Sequence, residues 1–289
     1  MWEETVRLST PYDFDYTLIR FSLDPLSHLS KEERWVLIPV QLGDEQHVVH
    51  VEARGTREEP EFVIRGDSED RKKELLHRIH DLFQWDIDLG VIQEHFMHTN
   101  LAQLFTDHPH TPIVKDYHPY DCLMKTIIHQ QLNMKFAYTL STRFVKTYGN
   151  EIDGVWFYPT PERVADIPYE ELRELQFSQR KAEYVIDTSR KIVNGELDLN
   201  ELTGLGNEEV MKKLTKIRGI GPWTVENWLL FGAGRADFLP KADIGIQNAL
   251  KRYFELESKP KHDQIDAMSP EWTPYKSYAS LTLWRSIEG

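Results

Sequence analysis

The chain has 289 residues, 40% of them hydrophobic, with 8 Trp, 12 Tyr and 13 Phe. That content excludes a disordered segment and suffices for one large or two modest domains, each with its own core. A single cysteine, Cys122, excludes internal disulfides and any iron–sulfur cluster needing several thiolates. Its apolar neighbours make it a small buried hydrophobe. No apolar run is long enough to span a bilayer and MWEETVRLS lacks a signal core, so a cytosolic protein is expected. The formal charge of −13 argues against a general nucleic-acid binder, because phosphate contacts normally come with a basic face. The acid is clustered, however, at Glu58, Glu59, Glu61 and at Asp67, Glu69, Asp70, whereas Lys212, Lys213, Lys216 and Arg218 gather on one later stretch. A dipolar molecule follows, whose binding to a polyanion falls steeply with salt.

Residues 35–42 and 48–53 are β-branched, apolar runs separated by Gly43-Asp44-Glu45-Gln46, which predicts a hairpin. Residues 61–65 supply a further strand. Over residues 70–85, Leu75, Leu76, Ile79, Leu82 and Phe83 recur at helical spacing, so one face packs on the sheet. Strands with helices on one side make an α+β domain, placed at residues 1–110. Three prolines and His108, His110 and His118 fall between residues 106 and 119, where the domain junction is expected. With Pro109 between the first two histidines and no cysteine or carboxylate cluster nearby, they read as solvated rather than metal-bound.

Residues 121–148 read as helical, interrupted by Gln130-Gln131, which a purely structural helix does not need. Residues 153–168 form a Pro-rich, aromatic connector. Residues 172–193 are helical with a break at Phe177-Ser178, and Arg180 and Lys181 read as a solvated charged face. Residues 197–205 read as a loop. The chain then reaches Arg218-Gly219-Ile220-Gly221-Pro222 between two amphipathic runs. Glycines permit close approach of backbone to a ligand, and Pro222 suits the first position of a helix whose free amides can bind phosphate. The same residues also suit an ordinary helical corner with a glycine C-cap. Gly232-Ala233-Gly234 and Phe238-Leu239-Pro240-Lys241-Ala242-Asp243 follow, then another apolar helix.

This order of hairpin, Gly/Pro loop and aspartate at a helix start resembles the helix-hairpin-helix glycosylase superfamily. GIGPWTVENWLLFG and FLPKADIGIQ are most similar to its AlkA type, the 3-methyladenine DNA glycosylases II. The resemblance extends over nearly the whole chain. Pro11-Tyr12-Asp13-Phe14-Asp15-Tyr16 is similar to the family's opening, although core packing is the reading favoured for its aromatics. Ile128-His129-Gln130-Gln131 resembles an I-L-G-Q-Q-like turn, Phe157-Tyr158-Pro159-Thr160-Pro161 an FPTP segment, and Trp272-Thr273-Pro274-Tyr275-Lys276-Ser277-Tyr278-Ala279 an aromatic C-terminal helix.

The resemblance implies an N-terminal α+β domain with a TATA-binding-protein-like sheet. An all-α helix-hairpin-helix glycosylase domain over residues 111–289 follows it. It implies a monomer that hydrolyses the N-glycosidic bond of alkylated bases flipped from double-stranded DNA, with no cofactor for catalysis. Asp243 is the catalytic carboxylate, competing with the plainer role of a helix N-cap worth about 1 kcal/mol. Asp237 falls outside the motif and is expected to cap or pair locally. Trp223, Asn227, Trp272 and Tyr278 are candidates for the base pocket. Arg218, Gly219, Ile220, Gly221 and Thr224 are candidates for the DNA contact, and main-chain oxygens of Thr215, Ile217 and Gly219 for a sodium or potassium ion. Gln131, with Leu132, matches the residue that plugs the duplex gap, while His129 stands where glycine is usual. Lyase relatives carry a lysine where this chain has Trp223, so hydrolysis without strand cleavage is implied. The rival readings are a non-catalytic DNA-binding or lesion-sensing protein, and a glycosylase for deaminated or oxidised bases.

Overall fold

The computed structural model describes residues 1–288. Five antiparallel strands, β1 (Trp2–Arg7), β2 (His28–Ser30), β3 (Trp35–Leu42), β4 (Glu45–Ala53) and β5 (Glu61–Gly66), form one sheet in the order β1-β5-β4-β3-β2. The β3–β4 hairpin turns at Gly43, whose φ of +59° is open to glycine without strain. Val36, Ile38, Val40, Val49 and Val51 are all buried, so the β-branched residues that predicted the strands also make the sheet's inner face. Neither β1 nor β2 was expected from the sequence, because charged residues mask the alternation in WEETVR and β2 has three residues.

Helix α1 (Phe14–Phe21) is capped by the Asp13 side chain and α2 (Lys72–Phe83) packs below the sheet. Tyr12, Phe14 and Tyr16 are core residues, as the favoured reading had them, and the Tyr12 hydroxyl donates to Phe83 O (2.9 Å). Two short helices, α3 (Leu89–Met97) and α4 (Ala102–Asp107), lead to the second half. There α5 (Pro119–His129), α6 (Met134–Tyr148), α7 (Pro161–Ala165), α8 (Tyr169–Glu174) and α9 (Gln179–Val193) follow in turn, then α10 (Leu199–Thr203), α11 (Asn207–Leu214) and α12 (Pro222–Asn227). The stretch expected to be a loop at 197–205 contains α10, because Asp198 accepts from the amides of Asn200 and Glu201 and nucleates a turn. The connector holds a small hairpin of β6 (Asn150–Ile152) and β7 (Val155–Phe157), turned by Asp153 and Gly154, both at positive φ. The chain closes with α13 (Ile244–Tyr253), α14 (His262–Met268) and α15 (Lys276–Arg285).

Two hydrophobic cores exist, and they do not divide at residue 110. One combines the sheet and α1–α4 with Leu239, Ile246, Leu250, Ile265, Trp272, Tyr278 and Leu283 from the chain's end. The other is built from residues 120–229. Polar ties hold the returning C-terminal helices to the N-terminal half. Arg285 donates to Asp13 Oδ2 (2.7 Å), and Trp272 Nε1 to Asn100 Oδ1 (2.7 Å). Apolar burial at 2–3 kcal/mol per large side chain, roughly, makes this return a main source of stability. A cut by sequence order cannot see it. The consequence for function is a cleft where the two cores meet.

Candidate active site

The hairpin is a backbone device. Leu214 closes α11 in the core, the chain turns through Thr215 to Gly221, and Pro222 opens α12. Gly219 has φ +92°, and a Cβ there would lie 2.1 Å from Cγ of Tyr184, so no other residue fits without displacing that ring. Among the described residues, the amides of Gly219 and Gly221 donate to no protein acceptor. Arg218 is exposed and pairs with Glu183 (2.6 Å). Ile220 is buried and anchors the turn, and the Thr224 hydroxyl, also buried, accepts from Gln130 Nε2 (2.7 Å). The side chains of Ile220 and Thr224 thus brace the hairpin from behind rather than face a ligand.

Gln130 and Lys181 take roles that the sequence reading did not give them. Gln130 Nε2 also donates to Gly219 O (2.8 Å), and Lys181, read as solvated, instead donates to Ile127 O (3.1 Å) and Gln130 O (2.7 Å). Burial lowers the Lys181 ammonium to about 8. The pair locks the α5–α6 turn against the hairpin across a groove of about 730 Å³. From that turn Gln131 projects, exposed and held at φ +57°, a left-handed conformation that costs a non-glycine residue on the order of 1 kcal/mol. Gln131 and Leu132 line both the groove and the cavity beyond it.

That cavity, about 410 Å³, runs between α1, α5, α6 and the chain's end, within the range usual for a small-molecule site. Trp223, Asn227 and Asp243 line it together, as does Trp284. Asp243 caps α13 while facing the cavity. Its Oδ1 accepts from Ile246 N–H (2.9 Å) and Trp284 Nε1 (3.0 Å), and its Oδ2 from Trp223 Nε1 (3.4 Å). The cap and the cavity-facing role therefore coexist. Gly245 makes room for this: a Cβ there would lie 2.9 Å from both Asp243 Oδ1 and Trp284 Nε1. Trp284 sits seven residues after Ser277 on the helix whose start matched the family pattern, and that helical spacing is the signal that could have found it.

Trp272 and Tyr278, expected at the pocket, are instead fully buried in the first core and do not line the cavity. Trp272 needs a partner for its indole N–H and finds it in Asn100. Asp237, expected to cap or pair locally, instead accepts from Lys276 N–H (3.3 Å) at the start of α15, 39 residues away. Behind Asp243, Glu226 has an Oε2 that is buried without a hydrogen-bond partner. Its carboxyl is raised to about 7, first by burial and then by the charge of Asp243, with Lys241 opposing. A five-residue π turn, Trp228–Gly232, completes the wall after α12, with Ala233 N–H donating to Trp228 O (2.9 Å). Such turns are frequent at functional sites.

Of the carbonyls expected to hold a monovalent cation, Ile217 O accepts from Ile220 N–H (3.0 Å) and Gly219 O from Gln130. Each keeps a second lone pair, and neutral main-chain oxygens suit an alkali ion in chemistry.

A helix-hairpin-helix followed by a helix-capping aspartate that faces a cavity defines a class. Residues 124–274 match the HhH-GPD superfamily of base excision DNA repair proteins, and the chain belongs to it, as a helix-hairpin-helix DNA glycosylase. It is 53% identical over 290 residues to YfjP of Bacillus subtilis, covering 100% of both chains. It is 30% identical over 229 residues to the DNA-3-methyladenine glycosylase of the same organism, covering 75% of this chain and 73% of that one. The solved structure of the 3-methyladenine DNA glycosylase from Archaeoglobus fulgidus shares the fold, with a TM-score of 0.84 at 21% identity over 99% of this chain and 97% of that one.

Proposed function

We propose that the protein binds double-stranded DNA and hydrolyses the N-glycosidic bond of alkylated bases of the 3-methyladenine and 7-methylguanine class. The single observation that carries this reading is Asp243, fixed at the cavity wall by three N–H donors with its carboxylate turned toward the space a flipped base would fill. Positive charge develops on the deoxyribose as the bond breaks. A carboxylate at about 4 Å and an effective dielectric of 20 stabilises it by roughly 4 kcal/mol, on the order of a thousandfold in rate. An alkylated base already carries positive charge and leaves without strong acid assistance, so one carboxylate suffices where sugar hydrolases use two. Because the carboxylate is held before the substrate arrives, little reorganisation is needed.

In this reading Trp223 and Asn227 wall the base, the amides of Gly219 and Gly221 with Arg218 hold a phosphate, and Gln131 with Leu132 fills the vacated stack. A sodium or potassium ion on Thr215, Ile217 and Gly219 would add positive charge behind that phosphate site. The N-terminal sheet serves as the TATA-binding-protein-like scaffold, in a monomer working in the cytosol. Hydrolysis without strand cleavage is supported by Trp223 at the lyase position and by the cavity's two lysines. Lys115 is paired with Asp81 and Lys125 with Asp116, neither free as an amine. Two assays on methylated duplex DNA test the reading. Free methylated base should appear in solution, and borohydride should trap no protein–DNA adduct. A trapped adduct would overturn the monofunctional chemistry, and an absence of released base the substrate class.

A further inference from the structure

The far wall of the cavity is polar, which neither an aromatic sandwich for a cationic base nor a structural core requires. Asp121, Lys125 and His129 stand at i, i+4 and i+8 on one face of α5, and all three line the cavity. Asp24 from the N-terminal half, Asp116, and Tyr138 and Tyr158 join them. Lys125 is paired with Asp116. Among the described residues that is the ammonium's only hydrogen bond, which leaves two of its three donors without an acceptor. The Tyr158 hydroxyl is buried without a partner, near Asp24, Lys125, Asp121 and Asp116. Asp121 makes no side-chain hydrogen bond among the described residues. Burial, then Asp116, push its carboxyl up to about 8, so it is protonated near neutral pH and can both donate and accept. His129 bonds Ser141 (3.1 Å) and, with burial and Lys125 holding it down to about 3, stays neutral.

Unspent donors on a charged lysine beside carboxyl oxygens match one kind of base edge. An oxo-purine presents an exocyclic oxygen next to a ring N–H. The oxygen accepts from an ammonium while the N–H donates to a carboxyl oxygen. An adenine presents an amino group at the same position, so donor would face donor.

We propose that Lys125, oriented by Asp116, reads the exocyclic oxygen of a purine flipped into the cavity, so that the enzyme selects guanine- and hypoxanthine-type bases over adenine-type ones. The assignment rests on the glycosylase reading above and names the substrate class of that site. A bidentate donor–acceptor match of this kind discriminates by about tenfold to a hundredfold.

The test uses the whole protein on methylated duplex DNA, which carries 7-methylguanine and 3-methyladenine together, with both free bases quantified from the same reaction. The readout is the ratio of their release rate constants, which does not depend on the fraction of protein folded. In Lys125→Met that ratio should fall at least about tenfold relative to wild type. Removing one partner of a buried pair can prevent folding, so the double variant Lys125→Met/Asp116→Leu, which removes both charges of the pair, is measured beside it. It should show the same loss of selectivity. Asp121→Asn, near-isosteric, should shift the ratio in the same direction by less. An unchanged ratio in both Lys125 variants would overturn the role of Lys125 while leaving the glycosylase reading intact. A wild type that releases neither base would instead overturn the reading beneath it.

Discussion

The hairpin groove and the base cavity lie on either side of one turn, Gln130-Gln131-Leu132, yet they are built from opposite materials. On the groove side the working groups are main-chain amides, positioned by a glycine packed directly on the Tyr184 ring and by two polar side chains, Gln130 and Lys181, that act from behind. On the cavity side the working groups are side chains, with Asp243 and its two indole donors at one wall and the Lys125–Asp116 pair at the other. Backbone suits a ligand that is the same at every position along DNA. Side chains suit a ligand that has to be told apart from its neighbours. Substitutions on the groove side should therefore weaken DNA binding for every substrate alike, and those in the cavity should change rate or selectivity while leaving DNA affinity in place.

The largest effect expected on the groove side is from Gly219→Ala. The added methyl meets the Tyr184 ring and the backbone sits at φ +92°, so duplex affinity should fall by about thirtyfold and folding stability by about 2 kcal/mol. Fluorescence anisotropy and a denaturant titration measure the two, and an unchanged Kd would mean that the hairpin does not touch DNA. Trp284→Phe comes next. It keeps the ring that stacks on Phe231 but deletes the N–H donated to Asp243, so single-turnover base release should slow by about tenfold with Kd unaltered. A matching loss of affinity would break the division between the two sides. Gln130→Ala removes bonds to Gly219 O and Thr224 Oγ1 and should raise Kd about fivefold while single-turnover release at saturation stays within about twofold.

The smallest effect concerns Glu226. Its folded carboxyl is raised from 4.5 to about 7, so between those values the folded chain holds a proton that the unfolded chain has released. Stability therefore falls as pH rises through that window, and the penalty is complete above it. Glu226→Gln should be more stable than wild type by about 1 kcal/mol at pH 8, after allowance for solvent screening, and equal to it at pH 4. Urea titrations at the two pH values check the sign.

Legibility in the sequence followed the same division. The hairpin could be read from its glycines and proline, because backbone geometry writes itself into residue type locally. Asp243 was legible through the motif around it and through its place at a helix start. The β3–β4 hairpin and α2 followed from periodicity. The misses share a cause, which is contact between residues far apart in the chain. Trp272 and Tyr278 carry the same aromatic signature as Trp284, and only the return of the C-terminal helices into the first core decides which of the three faces the cavity. Lys181 looked like any solvated helix lysine until α5 was seen to place two carbonyls within its reach. The polar face of α5 was present as Asp121, Lys125 and His129 at a spacing of four, but its meaning depends on a cavity whose other side comes from residues about a hundred positions away.

The central claim is that the carboxylate of Asp243 acts on a flipped, alkylated nucleotide in this cavity. Single-turnover release of methylated base, compared between wild type and Asp243→Asn at saturating protein, tests it most directly. The near-isosteric amide keeps the oxygen that accepts from Ile246 and Trp284, and removes the charge together with the weaker acceptor facing Trp223 (3.4 Å). A loss of at least about a hundredfold with DNA affinity retained is the predicted result. Equal rates in the two proteins would contradict it and move the chemistry away from Asp243.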